Sequence, residues 1–212
     1  MVDETQRGKI AAQLKPDKTA LVVVDVQNDF CDVKGAFGKR GFGLAHVEQS
    51  VENLLPFVEE CRKSNIRVVF VRTLHNNWTD SDTWVARMAG AGREMLICRP
   101  DTWGAEFYRV SPQANDFITT KHRFSGFVGT DLNLVLKARG IETLLMTGVA
   151  SNVCVETTAR DAYNLDYQII LVEDCCGAFS AEEHASTITN ISKYFGTVSD
   201  SKTLAQILSS AR

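Results

Sequence analysis

Long apolar runs are missing from this chain. No hydrophobic stretch approaches the roughly 20 residues that a membrane-crossing helix requires. An excess of basic residues is missing too. There are 23 Lys and Arg against 26 Asp and Glu, a net charge of −3, and no basic stripe. The electrostatic footprint of a nucleic-acid-binding or membrane-surface protein is therefore absent. The opening residues, MVDETQRGKI, are polar and acidic and do not read as a secretory signal. His46, His75, His122 and His184 form no H-E-x-x-H or comparable metal-ligand pattern, so no metal or other cofactor is expected. Asn-Gly and Asp-Gly hairpin turns do not occur, and neither do internal repeats, low-complexity tracts or linkers.

Cys31, Cys61, Cys98, Cys154, Cys175 and Cys176 lack regular spacing. Without a secretory signal they read as reduced thiols of a cytoplasmic protein rather than a disulfide framework. Cys175-Cys176 is not a C-x-x-C motif and reads as core packing. Length (212 residues), 44% apolar and 23% charged content fit one globular domain over 19–212, preceded by a polar arm over 1–18.

Strand and helix signals alternate along that domain. The run ALVVV at 20–24 reads as a strand buried on both faces. Further strands are predicted at 66–71, 117–120, 143–147 and 168–172, with an edge strand at 196–199. Helical spacing covers 45–64, where Pro56 should bend or break the helix, and 132–139, where Asp131 is placed to cap. It recurs after Cys154, over 181–194 with Ser180 and Glu183 as a capping box, and over 202–210. Such alternation predicts an α/β fold, a parallel sheet with helices on both faces.

One stretch stands out, Thr147 to Asp161, TGVASNVCVETTARD. A buried strand ends before it, and Val155, Ala159, Ala162 and Tyr163 then recur at helical spacing. Cys154 thus falls where a strand gives way to a helix. Unpartnered N–H groups and the helix dipole at such a start favour the thiolate, the nucleophilic form, and could hold an oxyanion. The plain alternative is a small buried apolar residue.

Ligands of open parallel sheets bind outside the carboxyl ends of the strands. Asp25 after VVV, Lys121 after ITT and Cys154 all fall at such ends. An Asp and a Lys leaving apolar strands side by side are natural partners, since a buried charge is costly alone. Asp25 could instead cap a loop, Lys121 be solvated, or the two form a purely structural ion pair.

Asp25 in ALVVVDVQNDF, Lys121 in TKHRFSGF and Cys154 in TGVASNVCVETTARDA together resemble the isochorismatase-like cysteine hydrolases, over residues 19 to 200. The likeness is to the amide and ureide hydrolases of that superfamily, those acting on ureidoacrylate, N-carbamoylsarcosine and biuret. It implies a three-layer α/β/α sandwich with a mainly parallel six-stranded sheet, and a homodimer or homotetramer. It also implies a small amide or ureide substrate. Cys154 would be the nucleophile, Asp25 the general base and acid, and Lys121 the residue that orients Asp25. A non-proline cis peptide at Val149–Ala150 would turn the Ala150 N–H toward the oxyanion, beside that of Cys154.

Recognition residues are expected near these three. Gln27, Asn28 and Phe30 follow the base, and Trp103 matches a segment near the substrate in relatives. Arg123, Phe124 and Phe127 follow Lys121. Ser151 and Asn152 contact substrate or merely shape the turn. For Phe30, Trp103 and Phe127 the alternative is core packing, and for Arg123 it is a solvated surface role rather than a carboxylate site. Nicotinamidases of the superfamily carry a metal-binding Asp-x-His where this chain has Thr73-Leu74-His75, which disfavours their metal-assisted reaction. True isochorismatases lack the catalytic Cys. Two alternatives remain open, a nicotinamidase-type ring-amide hydrolase and a non-catalytic binding protein on the same scaffold. The long segment 75–112, with Trp78, Trp84 and Trp103, is expected to decide the substrate.

Overall fold

The computed structural model describes residues 4–90 and 97–210. Part of the segment 75–112, the first residues of the expected arm and the last two of the expected domain lie outside that range. The strands are β1 (Thr19–Val24), β2 (Arg67–Thr73), β3 (Phe117–Lys121), β4 (Thr143–Val149), β5 (Gln168–Gly177) and β6 (Thr197–Ser199). They form one six-stranded sheet of order β3-β2-β1-β4-β5-β6, and every pairing is parallel. Helices α1 (Glu4–Gln13), α2 (Asn28–Cys31), α3 (Ala36–Lys39), α4 (Ala45–Lys63) and α5 (Asp82–Gly90) come before β3. Helices α6 (Leu132–Ala138), α7 (Glu156–Asn164), α8 (Ala181–Asn190) and α9 (Ser201–Ser210) come after it.

The unbroken apolar strands follow from cover on both faces. Leu21 and Val23 of β1 share one cluster with Val51 and Leu54 of α4, Ile10 of α1 and Leu204 of α9. Ala20, Val22 and Val24 point the other way and pack with Leu132 and Leu136 of α6 and Ala159 and Ala162 of α7. Successive side chains alternate across a strand, so every residue of a doubly covered strand must be apolar. Full burial of each such Val or Leu contributes about 1.5–3 kcal/mol.

Several local expectations change. Residues 4–13 are helical, and Ile10 and Leu14 join the core, so this segment packs against the sheet's helical layer. Helix α4 runs through Pro56 without a break. Asp131 does not cap α6; its carboxylate accepts from the Thr119 hydroxyl at 2.6 Å, a tertiary partner that outcompetes the local one. Ser180 does cap α8, accepting from the Glu183 N–H. Strand β5 extends to Gly177, which buries Cys175 and Cys176 in the sheet. All six cysteines are free thiols. Among the described residues no helix is long and apolar enough to cross a membrane.

The strand order places the site. From β1 the chain winds outward through β2 to β3, and from β4 outward through β5 to β6. The connections leaving β1 and β4 therefore diverge, and a crevice opens between their carboxyl ends, the switch point of a doubly wound sheet.

Candidate active site

Asp25 is the first residue beyond β1. Its N–H still donates to Val71 O of β2 at 2.8 Å, and its φ of +52° turns the chain out of the strand. That left-handed conformation is uncommon for a residue with a side chain, though Asp tolerates it better than most. Lys121 closes β3, where it pairs in register with Thr73 at the end of β2. Cys154 lies in a wide turn, Ser151–Val155, that continues into α7. Before this turn β4 is irregular, with a register shift between Met146 and Gly148. Gly148 has φ +113°, and a Cβ there would stand 2.0 Å from Val24 O, so only glycine fits. The Val149–Ala150 peptide that follows is cis.

The three side chains meet. Lys121 Nζ is 2.7 Å from Asp25 Oδ2 and 3.4 Å from Cys154 Sγ. It also donates to Thr73 Oγ1 at 2.8 Å and Arg123 O at 3.0 Å. The Thr73 hydroxyl donates in turn to Asp25 Oδ1 at 2.8 Å. Asp25 and Lys121 are each 1% exposed, so this is a buried ion pair whose desolvation is offset only by the full set of partners. Thr73 was not foreseen as a site residue. Its role depends on β2 lying between β1 and β3.

Electrostatics here run against the expectation of an acidified thiol. Burial pushes the Cys154 thiol up to about 12; the Lys121 charge pulls it down in part, and the Asp25 carboxylate raises it further. In this setting the protonated form of the sulfur is favoured. For Lys121, burial works to lower the pKa, but its partners, the Asp25 carboxylate first among them, outweigh it and hold the ammonium above its usual range. Burial pushes His75 down to about 4, with Asp80 opposing, so its ring is neutral.

These groups sit at the base of a cleft of about 290 Å³. Phe30, Arg123, Phe124, Ala150 and Asn152 line it. Gln27, Asn28, Trp103, Phe127 and Ser151 do not. Gln27 is fully buried, donating to Thr73 O at 2.9 Å and Ala105 O at 2.8 Å and accepting from the Thr73 N–H at 2.7 Å. It straps the segment around Ala105 to β2. Asn28 donates to Trp103 O at 2.8 Å, while the Trp103 ring is 45% exposed. Phe127 packs on the α6–α7 side of the sheet, and the Ser151 hydroxyl meets His184 Nδ1 at 3.0 Å. The side chains of Gln27, Asn28 and Ser151 are thus engaged with backbone or histidine groups rather than with the cleft.

Aromatic rings from distant segments complete the walls. Phe37 stacks on Phe179 with centroids 4.9 Å apart, and Trp84 packs between His75 and Phe124 at 5.1 Å from each. The Arg123 guanidinium lies 5.2 Å over the Trp84 ring and donates to Thr79 O, His122 O and Ser81 Oγ. Among the described residues no carboxylate forms an ion pair with it. Among the described residues Asn152 Oδ1 is buried with no hydrogen-bond partner. No group of three or more His, Cys, Asp or Glu side chains among the described residues could hold a metal ion.

The Isochorismatase domain model matches residues 19–203. Ureidoacrylate amidohydrolase RutB of Acinetobacter baylyi is 32% identical over 212 residues, covering 91% of this chain and 84% of that protein. The solved cysteine hydrolase from Pseudomonas syringae pv. phaseolicola 1448A superposes with a TM-score of 0.84 at 26% identity, covering 94% of this chain and 96% of that one. N-carbamoylsarcosine amidase from Thermoplasma acidophilum gives a TM-score of 0.70 at 32% identity, covering 87% and 96%. By domain match, sheet order and these relatives, the chain belongs to the isochorismatase family of hydrolases.

Proposed function

We propose that this chain is a cysteine-dependent amidohydrolase that cleaves a C–N bond of a small amide or ureide through a thioester, releasing ammonia or an amine. One observation carries the reading. A buried Lys121 Nζ stands 2.7 Å from Asp25 Oδ2 and 3.4 Å from Cys154 Sγ, at the base of a cleft. The relatives named for ureidoacrylate and N-carbamoylsarcosine support the same bond type.

In this scheme the Asp25 carboxylate takes the Cys154 proton as the sulfur attacks the carbonyl carbon. The C–S bond forms, and the carbonyl electron pair moves to oxygen. The N–H groups of Ala150 and Cys154 stabilise that oxyanion. The C–N bond then breaks, and protonated Asp25 gives its proton to the leaving nitrogen. Asp25 next takes a proton from water, whose oxygen attacks the thioester. The C–S bond breaks, and the thiol recovers its proton. Amide and water are converted to acid and amine, and the enzyme is unchanged.

Recognition is divided between polar and apolar groups. Phe30 and Phe124 flank the substrate, Asn152 Oδ1 accepts from a substrate N–H, and Arg123 takes a carboxylate. Thr73, in place of the nicotinamidase Asp, favours a linear substrate over a ring amide. The protein acts in the cytoplasm as a homodimer or homotetramer, which light scattering on the purified chain tests.

An ammonia-release screen over ureides, carbamoyl amino acids, linear amides and nicotinamide, with Cys154→Ala alongside, is the direct experiment. Turnover of a linear substrate that Cys154→Ala abolishes is expected. Turnover of nicotinamide alone, lost with chelator, would favour the ring-amide reaction. Undiminished turnover by Cys154→Ala would refute the thioester route.

A further inference from the structure

Behind the turn that carries Ala150 and Cys154 lie two histidines that the proposed chemistry does not use. His184 of α8 places Nδ1 3.0 Å from the hydroxyl of Ser151, a residue with no exposed surface. The His184 ring meets that of His46, on α4, edge to face with centroids 4.5 Å apart. His46 Nδ1 accepts from the Ala178 N–H at 3.1 Å. Burial pushes His184 down to about 4, so it is neutral near pH 7.

A serine hydroxyl on a histidine could suggest a second nucleophile. Ser151 is sealed from solvent and does not line the cleft, so it cannot reach a substrate. Its location points elsewhere. Ser151 follows Ala150 directly, and its carbonyl accepts from the Glu156 N–H at the start of α7. Ala178 follows Gly177, which pairs in register with Val149, and it precedes Phe179 of the cleft wall. The two rings therefore tie α4, the β5–α8 connection and α8 to the residue beside the oxyanion donor.

We propose that His184 and His46 are positioning residues that hold the oxyanion turn in place through the Ser151 hydroxyl. The inference rests on the amidohydrolase reading, because the turn matters only if an oxyanion forms there. Oxyanion donors act by being fixed before the charge develops, and small displacements of such groups are costly. Loss of the contact should therefore lower kcat and leave KM nearly unchanged.

The test compares Ser151→Ala, His184→Leu, His184→Asn and the Ser151→Ala/His184→Leu double variant on a substrate whose turnover Cys154→Ala abolishes. Ser151→Ala and His184→Leu should each lower kcat by about 10-fold to 100-fold, with KM within about twofold. His184→Asn places an amide near the Nδ1 position and should restore most of kcat. The double variant should be no worse than the worse single one, because both remove one contact. Unchanged kcat in Ser151→Ala, additive losses, or equal losses in His184→Leu and His184→Asn would overturn the proposal. If His184→Leu does not fold, Ser151→Ala against His184→Asn still decides it. Turnover that survives Cys154→Ala would instead defeat the hydrolase reading, which keeps the two failures apart.

Discussion

Thr73 donates its hydroxyl hydrogen to Asp25 Oδ1 over 2.8 Å while accepting from Lys121 Nζ over 2.8 Å. It stands on the strand that separates the other two, so acid and amine are fixed through it as well as by direct contact. The proposed base thus has one oxygen held by a hydroxyl and the other facing an ammonium.

Thr73→Val keeps the shape and removes the hydroxyl. It should destabilise the protein by about 1–3 kcal/mol, the cost of leaving buried polar partners unmatched. Activity should fall about tenfold through kcat, and Thr73→Ser should retain most of it. Urea melts and steady-state kinetics on the same preparations check both.

Lys121→Met leaves the Asp25 carboxylate buried without its cation. The expected loss is about 3–5 kcal/mol of stability, together with all detectable turnover. Adding Asp25→Asn should recover much of the stability and none of the activity. A double variant as unstable as Lys121→Met would show that the pair's charge is not what matters.

The Cys154 thiol, pushed up to about 12 by burial, should alkylate slowly at neutral pH. Its rate with iodoacetamide should climb close to tenfold per pH unit from 7 to 9.5. A rate already level below pH 8 would reveal a preformed thiolate. Linkage has a definite sign. A raised thiol pKa stabilises the fold at pH below the ordinary thiol value of 9.0, and that contribution disappears between about 9 and 12. Other cysteines, Cys31 and Cys176 among them, shift the same way, so Cys154→Ser should relieve only part of the alkaline loss.

His75 and His184, both pushed down to about 4 by burial, act at the opposite end of the scale. Their neutral forms are favoured in the fold, so they stabilise it above the ordinary histidine value of 6.5. That stabilisation is lost as the pH falls from about 6.5 toward 4. Denaturation midpoints measured across this window should drop in the natural chain and drop less in His75→Gln.

Arg123→Met should discriminate between substrates. For those with a carboxylate KM should rise about 10-fold to 100-fold, the value of a charge-assisted hydrogen bond, and for uncharged counterparts it should hold steady. An equal rise for both would assign Arg123 to wall packing through Trp84 instead.

Much of this protein was legible in its sequence because the signals are local. ALVVV reads as a strand covered on both faces, and β1 is buried along its whole length. Asp25 and Lys121 announce themselves as charges abutting apolar runs. The recognition set was less legible. Gln27, Asn28 and Ser151 lie beside cleft residues in sequence, yet their side chains are turned to buried partners that become neighbours only on folding.

By itself the sequence determined the alternation of strand and helix, the parallel sheet, and which three reactive side chains stand at strand ends. Tertiary structure decided the strand order, which sets Thr73 between Asp25 and Lys121, and the aromatic walls that Phe37, Trp84 and Phe179 bring from far along the chain. It also decided the proton on Cys154. A helix start favours loss of that proton, but burial beside a carboxylate outweighs the nearby ammonium, and desolvation depends on everything packed around the sulfur.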